Sequence, residues 1–291
     1  MSFANARMYA VTPAAKAHWH RLLGHALRAA RLDWPLLDYD APAPLAALWA
    51  RDDLGLVMMC GLPFARREPK PVLIAAPIPS PARYGGQPVY FSDIVVRADD
   101  PAQTLADTFG RVAGITLRDS YSGGVAWVNH VLQHSDLGLM AYRQWVGGLI
   151  HARGVIQALV DGRIDVGPLD SYSHDLLRLN EPALAAKVRS LASTPARPIP
   201  PLVATARIDV SALAALRAAL CATATEPALR DSLVALQLSG FAVPQSSDYD
   251  LLPPLAALAQ RAFASFQLAA TSRSGTQCWA EVIRRQNIQP Q

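Results

Sequence analysis

One stretch decides the fold of this 291-residue chain: residues 114–127 read Gly-Ile-Thr-Leu-Arg-Asp-Ser-Tyr-Ser-Gly-Gly-Val-Ala-Trp. Residues 114–117 form a short apolar run that predicts a β-strand. Hydroxyl residues and glycines follow, and apolar residues at helical spacing then predict a helix over residues 123–133. A strand that passes through such a turn into a helix is the repeating unit of α/β proteins.

The turn between this strand and helix predicts an anion site. Ser120, Tyr121 and Ser122 lie at the first turn of the predicted helix, where backbone N–H groups have no acceptor within the helix. Those donors point the same way as the positive end of the helix dipole, and the side chains add donors without a fixed charge. The alternative is that Ser120 or Ser122 only caps the helix, and the two roles are compatible. The segment lacks the Gly-Lys-Ser/Thr ending of a P-loop.

The alternation of strands and helices extends along the chain. The predicted strands are residues 7–11, 34–39, 54–60, 70–79, 89–97, 114–117, 164–169 and 202–208. The predicted helices are residues 18–31, 44–51, 123–133 and 151–161, a helix that begins at 174–178, and Ala- and Leu-rich segments after residue 208. This alternation predicts mainly parallel sheets.

Two proline-rich stretches divide the chain into lobes. They span residues 80–88 and 194–201 and bracket a middle block. This arrangement predicts a discontinuous first lobe of residues 1–89 plus 202–291 and a second lobe of residues 90–201. Two sequential domains, or one large sheet with a long insertion, are the alternatives that the sequence leaves open.

The composition narrows the class of protein. Hydrophobic residues make up 51% and charged residues 17% of the chain, as in well-packed globular proteins. The net charge of +4 would suit an anionic partner, but the basic residues are scattered along the sequence. Nucleic-acid-binding proteins carry a basic stripe with interleaved aromatic residues, so we expect no nucleic-acid partner.

The cysteines and histidines predict no metal site and no cofactor. Cys60, Cys221 and Cys278 are too few and too dispersed for a zinc or disulfide framework, and we interpret them as ordinary buried thiols. His130 and His134 stand four residues apart on a predicted helix. Without a His-Glu-x-x-His motif, we interpret them as part of a solvated face.

The N-terminal residues and the hydropathy of the chain predict its location in the cell. Residues 1–20 lack the apolar core of a secretory signal. No run of about eighteen uncharged apolar residues occurs. As written, the chain is therefore expected to be cytoplasmic and not inserted in a membrane.

Residues 119–123 carry the most specific resemblance to a known family. This segment, Asp-Ser-Tyr-Ser-Gly, resembles the Asp-x-x-Ser-Gly turn of the substrate-binding proteins of phosphate, phosphite and phosphonate ABC importers. Over roughly residues 6 to 255, further short motifs are similar to that family and occur in the same order. They are Trp49 with residues 54–64, Tyr90-Phe-Ser with residues 95–96, His151 ahead of residues 162–165, Leu169-Asp170, residues 240–244 and residues 248–250.

The resemblance implies the type II periplasmic-binding-protein fold. In that fold each of two lobes is a mainly parallel sheet flanked by helices, and the lobes close about a hinge on a ligand in the cleft between them. The family is periplasmic and binds a small anionic ligand, such as phosphonate, phosphate or a related oxyanion, without a cofactor. Its partner is the membrane component of an ABC transporter, so the resemblance implies a solute-binding protein and not an enzyme.

The family's ligand contacts carry over where residues match. Ser120 and Ser122 match the flanking hydroxyls of the family's oxyanion-binding triplet, with Gly123 after them, whereas Tyr121 replaces the usual Thr or Gln. The other matches are Tyr90, a pocket tyrosine; His151, which faces the anion; Asp170, a carboxylate that receives the amino group of aminophosphonates; and Tyr9 with Gly61, both in the first lobe.

Two departures from the family bear on the ligand. The phenol of Tyr121 is bulky and predicts a narrowed or redirected pocket. Ala152 follows His151 at a position where importer proteins often have an acidic group. This second departure argues against an aminophosphonate.

The carried-over residues also have structural interpretations. Tyr9 and Tyr90 can be packing tyrosines near strand ends. His151 at a helix start can be a solvated or capping residue, and Asp170 can cap the helix that follows it.

Two other functions stay open. A cytoplasmic sensor or orphan binding domain with the same lobes and a different small ligand fits the absence of a signal sequence. An enzyme on this scaffold would need a nucleophile, for which Cys60 is the candidate. A buried structural thiol is the more ordinary role of a free cysteine.

Overall fold

A computed structural model describes residues 2–40 and 43–272, in which the chain divides into two units. The first unit consists of the residues up to Tyr90, Ser171–Pro182 and Ala196–Pro253. The second unit consists of Phe91–Asp170, Ala183–Pro195 and the residues from Pro254.

Strands and helices alternate through both units. The strands are β1 (Phe3–Asn5), β2 (Leu54–Met58), β3 (Val72–Pro79), β4 (Val89–Tyr90), β5 (Ser92–Arg97), β6 (Val112–Gly114), β7 (Gln144–Val146), β8 (Gly167–Asp170), β9 (Val188–Ser193), β10 (Arg197–Pro198), β11 (Leu202–Ala204) and β12 (Leu238–Ala242). The helices are α1 (Pro13–Ala29), α2 (Leu45–Trp49), α3 (Gly61–Arg66), α4 (Ala126–His134), α5 (Ala152–Val160), α6 (Ser171–Asn180), α7 (Pro182–Ala185), α8 (Val210–Cys221), α9 (Arg230–Ala235) and α10 (Leu252–Ser272).

The first unit is built on a sheet with the strand order β1-β2-β11-β3-β12. The neighbours β1 and β2 are parallel, whereas β11 and β12 run antiparallel to the strands beside them. Every residue of β2 is buried, which explains why its sequence is continuously apolar and does not alternate. β4 and β10 form a separate antiparallel ribbon.

The second unit joins two smaller sheets. β5 is the central strand of the antiparallel sheet β8-β5-β9, and β6 pairs with β7 in parallel. A parallel bridge between Ala113 and Val166 connects β6 to the segment that leads into β8. The N–H of Gly114 donates to the carbonyl of Val166 across it (2.8 Å). The carboxyl ends of β6, β7 and β8 therefore lie along one side of the sheet, which we call the carboxyl edge.

The prediction of mainly parallel sheets is wrong: in the five-stranded sheet only β1 and β2 are parallel, and in the second unit β5 runs antiparallel to both of its neighbours. Two of the reversed strands stand where the chain enters a unit: β5 follows the crossing after Tyr90, and β11 follows the crossing after Pro195. Such a strand is not joined to its neighbour by a helical crossover, which is the connection that keeps consecutive strands parallel.

Three predicted strands, at residues 7–11, 34–39 and 114–117, do not lie where they were predicted; the last of them is β6, at Val112–Gly114. The first strand lies at Phe3–Asn5, and Arg7–Tyr9, inside the predicted strand, forms a 3-10 turn. The strand β12 was not predicted, because Ser239 and Gly240 interrupt its apolar pattern. Of the predicted strand 34–39, the structure retains a single bridge, between Leu36 and Ala4.

The helix α10 belongs to the second unit, although the predicted first lobe includes residues 202–291. The ring of Phe263 packs edge-on against Trp145, with ring centroids 5.6 Å apart. The Asn129 side-chain amide donates to the carbonyl of Leu255 (3.0 Å). An aromatic ring is a large apolar surface to bury, so this packing accounts for the assignment of the helix.

The helix α6 belongs to the first unit, although the predicted second lobe includes it. Its Asp175 carboxylate, with a side chain only 9% exposed, accepts hydrogen bonds from Arg83 Nε (2.9 Å) and the Tyr84 hydroxyl (2.7 Å). Arg178 adds a third contact to Asp175 (3.1 Å). Burial and the nearby Asp175 charge raise the pKa of Tyr84, so its phenol keeps its proton and donates it.

The core of the second unit contains a cluster of aromatic rings. Trp127, at the start of α4, lies 5.8 Å from Tyr142 and 6.0 Å from Trp145 between ring centroids. Phe109 packs edge-on against Tyr142 at 5.6 Å. These rings fix the start of α4, which follows the turn that the sequence singled out.

In the part of the chain that the structure describes, the helices lack the combination of length and apolar composition that a membrane span requires.

Candidate functional site

The segment after β6 leads into a helix whose first turn is π-helical and therefore wider than an α-helical turn. Tyr121–Val125 form a π-helical turn that continues into α4, and the N–H of Val125 donates to the carbonyl of Ser120 (3.0 Å). The Ser120 hydroxyl oxygen accepts the N–H of Gly123 (3.2 Å). Ser120 therefore does cap this turn, while its own O–H can still donate to another acceptor.

Two glycines let the turn fold back on the strand before it. A Cβ atom at Gly123 would overlap Oγ1 of Thr116, and one at Gly124 would overlap the carbonyl oxygen of Leu117. The N–H of Thr116 donates to the carbonyl of Gly123 (2.9 Å). This close approach fixes the direction in which the first N–H groups of the helix point.

Ser122 and Asp170 are in contact, although 48 positions separate them in the sequence. The Ser122 hydroxyl donates to Oδ2 of Asp170 (3.1 Å). Ser122 is buried, and Asp170 is the half-buried last residue of β8. Because a serine hydroxyl has a single proton, an anion bound at this turn would compete with Asp170 for it.

Ser92 supports Ser122 from the neighbouring strand. Ser92 is fully buried, stands directly opposite Asp170 in the pairing of β5 with β8, and donates its hydroxyl proton to the carbonyl of Ser122 (2.7 Å). The N–H of Ser92 donates in turn to Oγ1 of Thr194 (2.9 Å). A chain of hydrogen bonds thus runs from the sheet to the turn.

The carboxyl edge brings three loops of the second unit side by side. Ser120–Gly123 follow β6, His151 follows β7, and Asp170 ends β8. The N–H of Gly148 donates to the carbonyl of Thr116 (3.0 Å), which ties the first two loops together. In α/β proteins this edge is where ligands bind.

His151 caps α5, as its structural interpretation predicts. Its Nδ1 accepts the N–H of Gly154 (3.1 Å), and the side chain is exposed. An accepting Nδ1 carries no proton, so in the neutral ring the proton is on Nε2. The cap therefore leaves Nε2 as the ring nitrogen that can donate.

Tyr121, the residue expected to narrow the pocket, is buried. It is the first residue of the π-helical turn, and the N–H of Ala126 donates to its carbonyl. Its backbone thus belongs to the candidate anion-binding turn whatever the position of its phenol.

The first unit holds Tyr9, Gly61 and Tyr90. Tyr9 and Gly61 follow the adjacent parallel strands β1 and β2, so both lie at the same edge of that sheet. The Tyr9 ring packs edge-on against Tyr172, with centroids 4.6 Å apart. A Cβ atom at Gly61 would lie 2.9 Å from the Tyr249 ring, so only glycine fits there. Tyr90 ends β4 and is buried.

The residues at the carboxyl edge offer a consistent chemistry. Their groups are hydroxyls, backbone N–H groups, one imidazole and one carboxylate. Directional neutral donors of this kind suit an oxyanion, since each oxygen can accept more than one hydrogen bond. Among residues 2–40 and 43–272, no group of three or more His, Cys, Asp or Glu side chains is placed to hold a metal ion.

His130 and His134 do not form the solvated face that the sequence predicts. His130 is only 6% exposed, and its ring centroid lies 4.1 Å from that of His134. Burial, with a smaller contribution from His134, lowers the pKa of His130 to about 4. The His134 ring instead bonds through Nδ1 to the backbone carbonyl of His130 (2.8 Å).

The cysteines differ in their exposure to solvent. Cys60 is a buried thiol just before α3, as expected, whereas Cys221 is exposed at the end of α8. Cys278 lies outside the described residues.

Sequence reasoning missed three residues that shape the site: Ser92, Thr116 and Thr194. Thr116 lies within the decisive stretch, and Ser92 is the last residue of the Tyr90-Phe-Ser motif, but the sequence assigned neither of them a role in the site. Their roles depend on pairings between distant segments, which local patterns do not show.

Comparison with known families identifies a match over most of the chain. A family model described as "ABC transporter, phosphonate, periplasmic substrate-binding protein" matches residues 45–249. No curated protein sequence matches the chain.

Solved structures of binding proteins are similar to this one. A binding protein component of an ABC phosphonate transporter from Pseudomonas aeruginosa has a TM-score of 0.72 at 16% identity, covering 99% of this chain and 97% of that chain. PhnD1 from Prochlorococcus marinus, in complex with methylphosphonate, has a TM-score of 0.69 at 14% identity, covering 87% and 96%. A Xanthomonas citri protein bound to ATP has a TM-score of 0.62 at 18% identity, covering 90% and 98%. The predicted α/β fold of the periplasmic-binding-protein type is confirmed.

Proposed function

The chain belongs to the family of periplasmic substrate-binding proteins of phosphonate ABC transporters, and from that membership we propose that it binds a small oxyanion of the phosphonate or phosphate type at residues 120–123. The observation that carries the proposal is the capped turn after β6. Its glycines bring it against the strand, and Ser120 and Ser122 add hydroxyls beside the first N–H groups of the helix.

Each residue of the carboxyl edge has a role in the proposal. The O–H of Ser120 and the N–H groups of the turn donate to the anion. Ser122 turns its proton from Asp170 to the ligand, and His151 donates from Nε2. The hydroxyl and backbone donors carry no charge, so they select for the direction of hydrogen bonds and not for the bulk charge of the ligand.

The proposal extends to the first unit and to a partner. Tyr9, Gly61 and Tyr90 complete the ligand contacts when the two lobes close about a hinge. The relative from Prochlorococcus marinus is a complex with methylphosphonate, which supports this ligand class. The partner is the membrane component of an ABC transporter, and the role is binding and delivery without catalysis.

Isothermal titration of the full chain tests the proposal. Phosphate, methylphosphonate, sulfate and acetate are titrated in turn, and we expect a phosphorus oxyanion to bind with a Kd of roughly 1 μM or tighter. Failure of every oxyanion to bind tighter than about 1 mM would overturn the proposal.

Substituting Ser122→Ala removes one donor and should weaken binding by roughly 1–3 kcal/mol. The control is Ser239→Ala, because the Ser239 hydroxyl also donates one hydrogen bond, to the backbone carbonyl of Ile78, but lies in β12 of the first unit. Unchanged affinity in Ser122→Ala would show that this serine has only a structural role.

A further inference from the structure

A strained turn precedes His151 at the carboxyl edge. The N–H of His151 donates to the carbonyl of Leu149 (2.7 Å), which closes a three-residue turn with Ile150 at its centre. Ile150 has a φ of 64°, in the left-handed region. A β-branched residue is a rare outlier there, and three-residue turns with positive φ at the centre are strained. Asn or Gly would adopt this backbone at lower cost.

The residues on both sides hold the turn in place. Leu149 is buried, and a Cβ atom at Gly114 of β6 would lie 3.0 Å from its Cδ1. The carbonyl of Leu149 approaches Gly154 so closely that no Cβ fits at that glycine. His151 caps α5. The strain at Ile150 therefore persists because its neighbours on either side are fixed.

The result is an isoleucine presented to solvent. Ile150 is 67% exposed, and Leu117 in the adjoining loop is 46% exposed. The hydrogen bond between Gly148 and Thr116 lies two residues from Ile150 and one residue from Leu117, so the two apolar side chains belong to neighbouring segments. Neither contributes to the core, and Ile150 occupies a position that favours another residue type.

We infer that Ile150, with Leu117, is a specificity-determining residue that contacts an apolar substituent of the ligand. This inference rests on the proposed function, because the oxyanion must first be held at residues 120–123. The substrate class is then an organophosphonate with an alkyl or aryl group, in preference to inorganic phosphate. Ala152, which follows His151 without a charge, is consistent with an apolar substituent. Strain at ligand-binding loops is a recurrent way to orient a contact residue.

Isothermal titration with a ligand series tests the inference. The full chain is titrated with inorganic phosphate, methylphosphonate, propylphosphonate and phenylphosphonate. We expect the propyl and phenyl compounds to bind about tenfold tighter than phosphate, the effect of burying one or two methylene groups. The variant Ile150→Asn, which suits a positive φ and so keeps the turn, should reduce this preference to about threefold or less and leave phosphate affinity unchanged.

The control is Val160→Asn, a polar substitution of a partly exposed apolar residue at the far end of α5, and it should change no affinity. Equal binding of phosphate and phenylphosphonate by the unsubstituted chain would overturn the role of Ile150 and leave the proposed function standing. Equal losses for all ligands in Ile150→Asn would also overturn it, since they would mean that Ile150 only supports the turn. If no phosphorus oxyanion binds, the proposed function fails, and this inference fails with it.

Discussion

The hydroxyl of Ser92 holds the backbone carbonyl of Ser122 in place, while the hydroxyl of Ser122 remains able to rotate. The Ser92 hydroxyl donates to that carbonyl (2.7 Å), and its N–H is bound to Thr194 (2.9 Å). The backbone of the turn is thus tied to the central strand of its sheet. In the proposed binding mode, only the hydroxyl of Ser122, which donates to Asp170, has to turn toward the ligand. Little reorganisation is then needed on binding.

Ser92→Ala tests this positioning role. Loss of the hydroxyl leaves a buried carbonyl without one of its donors, so we expect a loss of stability of about 1–2 kcal/mol and methylphosphonate binding that is roughly three- to tenfold weaker. The control is Ser193→Ala, which removes a donor to Asp93 (3.0 Å) in the same sheet. It should lower stability and leave affinity unchanged. Equal affinity in the two variants would show that Ser92 is structural only.

At the scale of elements, α6 is held to the first unit by charge. Asp175 on α6 meets Arg83 and Tyr84 from the turn after β3, and Arg83 Nη2 also donates to the carbonyl of Ser171 (2.8 Å). Tyr172 adds a hydrogen bond to the carbonyl of Leu236 (2.5 Å). The first turn of α6 is therefore fixed directly after Asp170, the carboxylate of the site.

Removing the carboxylate should destabilise this unit strongly. Asp175→Ala removes the buried carboxylate that accepts from both Arg83 and Tyr84, and breaking such a pair costs up to about 3–5 kcal/mol. Urea denaturation measures the loss. The control is Asp99→Ala, which breaks an exposed pair with Arg97 (3.0 Å) and should not shift the midpoint. Equal midpoints in the two variants would contradict the role of Asp175.

The aromatic cluster of the second unit includes a histidine that should make stability depend on pH. His130 has a folded-state pKa of about 4 against an ordinary value of 6.5, because its ring is buried. Below pH 6.5 the unfolded chain takes up a proton that the folded chain does not. Stability is therefore complete above pH 6.5 and falls as the pH decreases toward 4.

Thermal unfolding between pH 4 and 7 measures this dependence. The variant His130→Leu should have a flatter profile, because it removes the group that titrates in this window. His20→Gln, a histidine of the first unit, is the control and should keep the slope of the unsubstituted chain. A His130→Leu profile as steep as that of the control would assign the slope to other groups.

At the scale of the whole molecule, the proposed hinge closure makes a prediction about size. The chain crosses between its units after Tyr90, Asp170, Pro182, Pro195 and Pro253. If the lobes close on the ligand, saturating methylphosphonate should lower the radius of gyration measured by X-ray scattering. The Ser122→Ala variant, at the same ligand concentration, should respond less. An unchanged radius at saturation would reject closure and leave binding intact.

How much of this structure the sequence predicts depends on how far apart along the chain the interacting residues lie. Residues 114–127 predict the order of strand, turn and helix, because these determinants are local, but the strand lies at Val112–Gly114, two residues before its predicted start, and the helix begins with the π-helical turn Tyr121–Val125. The mixed strand directions and the placement of α10 were not predictable, because they depend on Phe263 reaching Trp145 and on where the chain enters each sheet. The contact of Ser122 with Asp170 was not predicted either, although the resemblance named both residues.

The glycines of the carboxyl edge have an evolutionary consequence. Gly123, Gly124 and Gly154 each face an atom that a methyl group would overlap, and two of those atoms are backbone carbonyl oxygens. Carbonyl oxygens are present whatever the side chain, so no neighbouring substitution can make room at Gly124 or Gly154. At Gly123 the obstacle is the side chain of Thr116, so a substitution of Gly123 requires a simultaneous substitution of Thr116. Divergent relatives that keep this loop geometry should therefore retain two of these glycines without exception and exchange the third only together with the threonine.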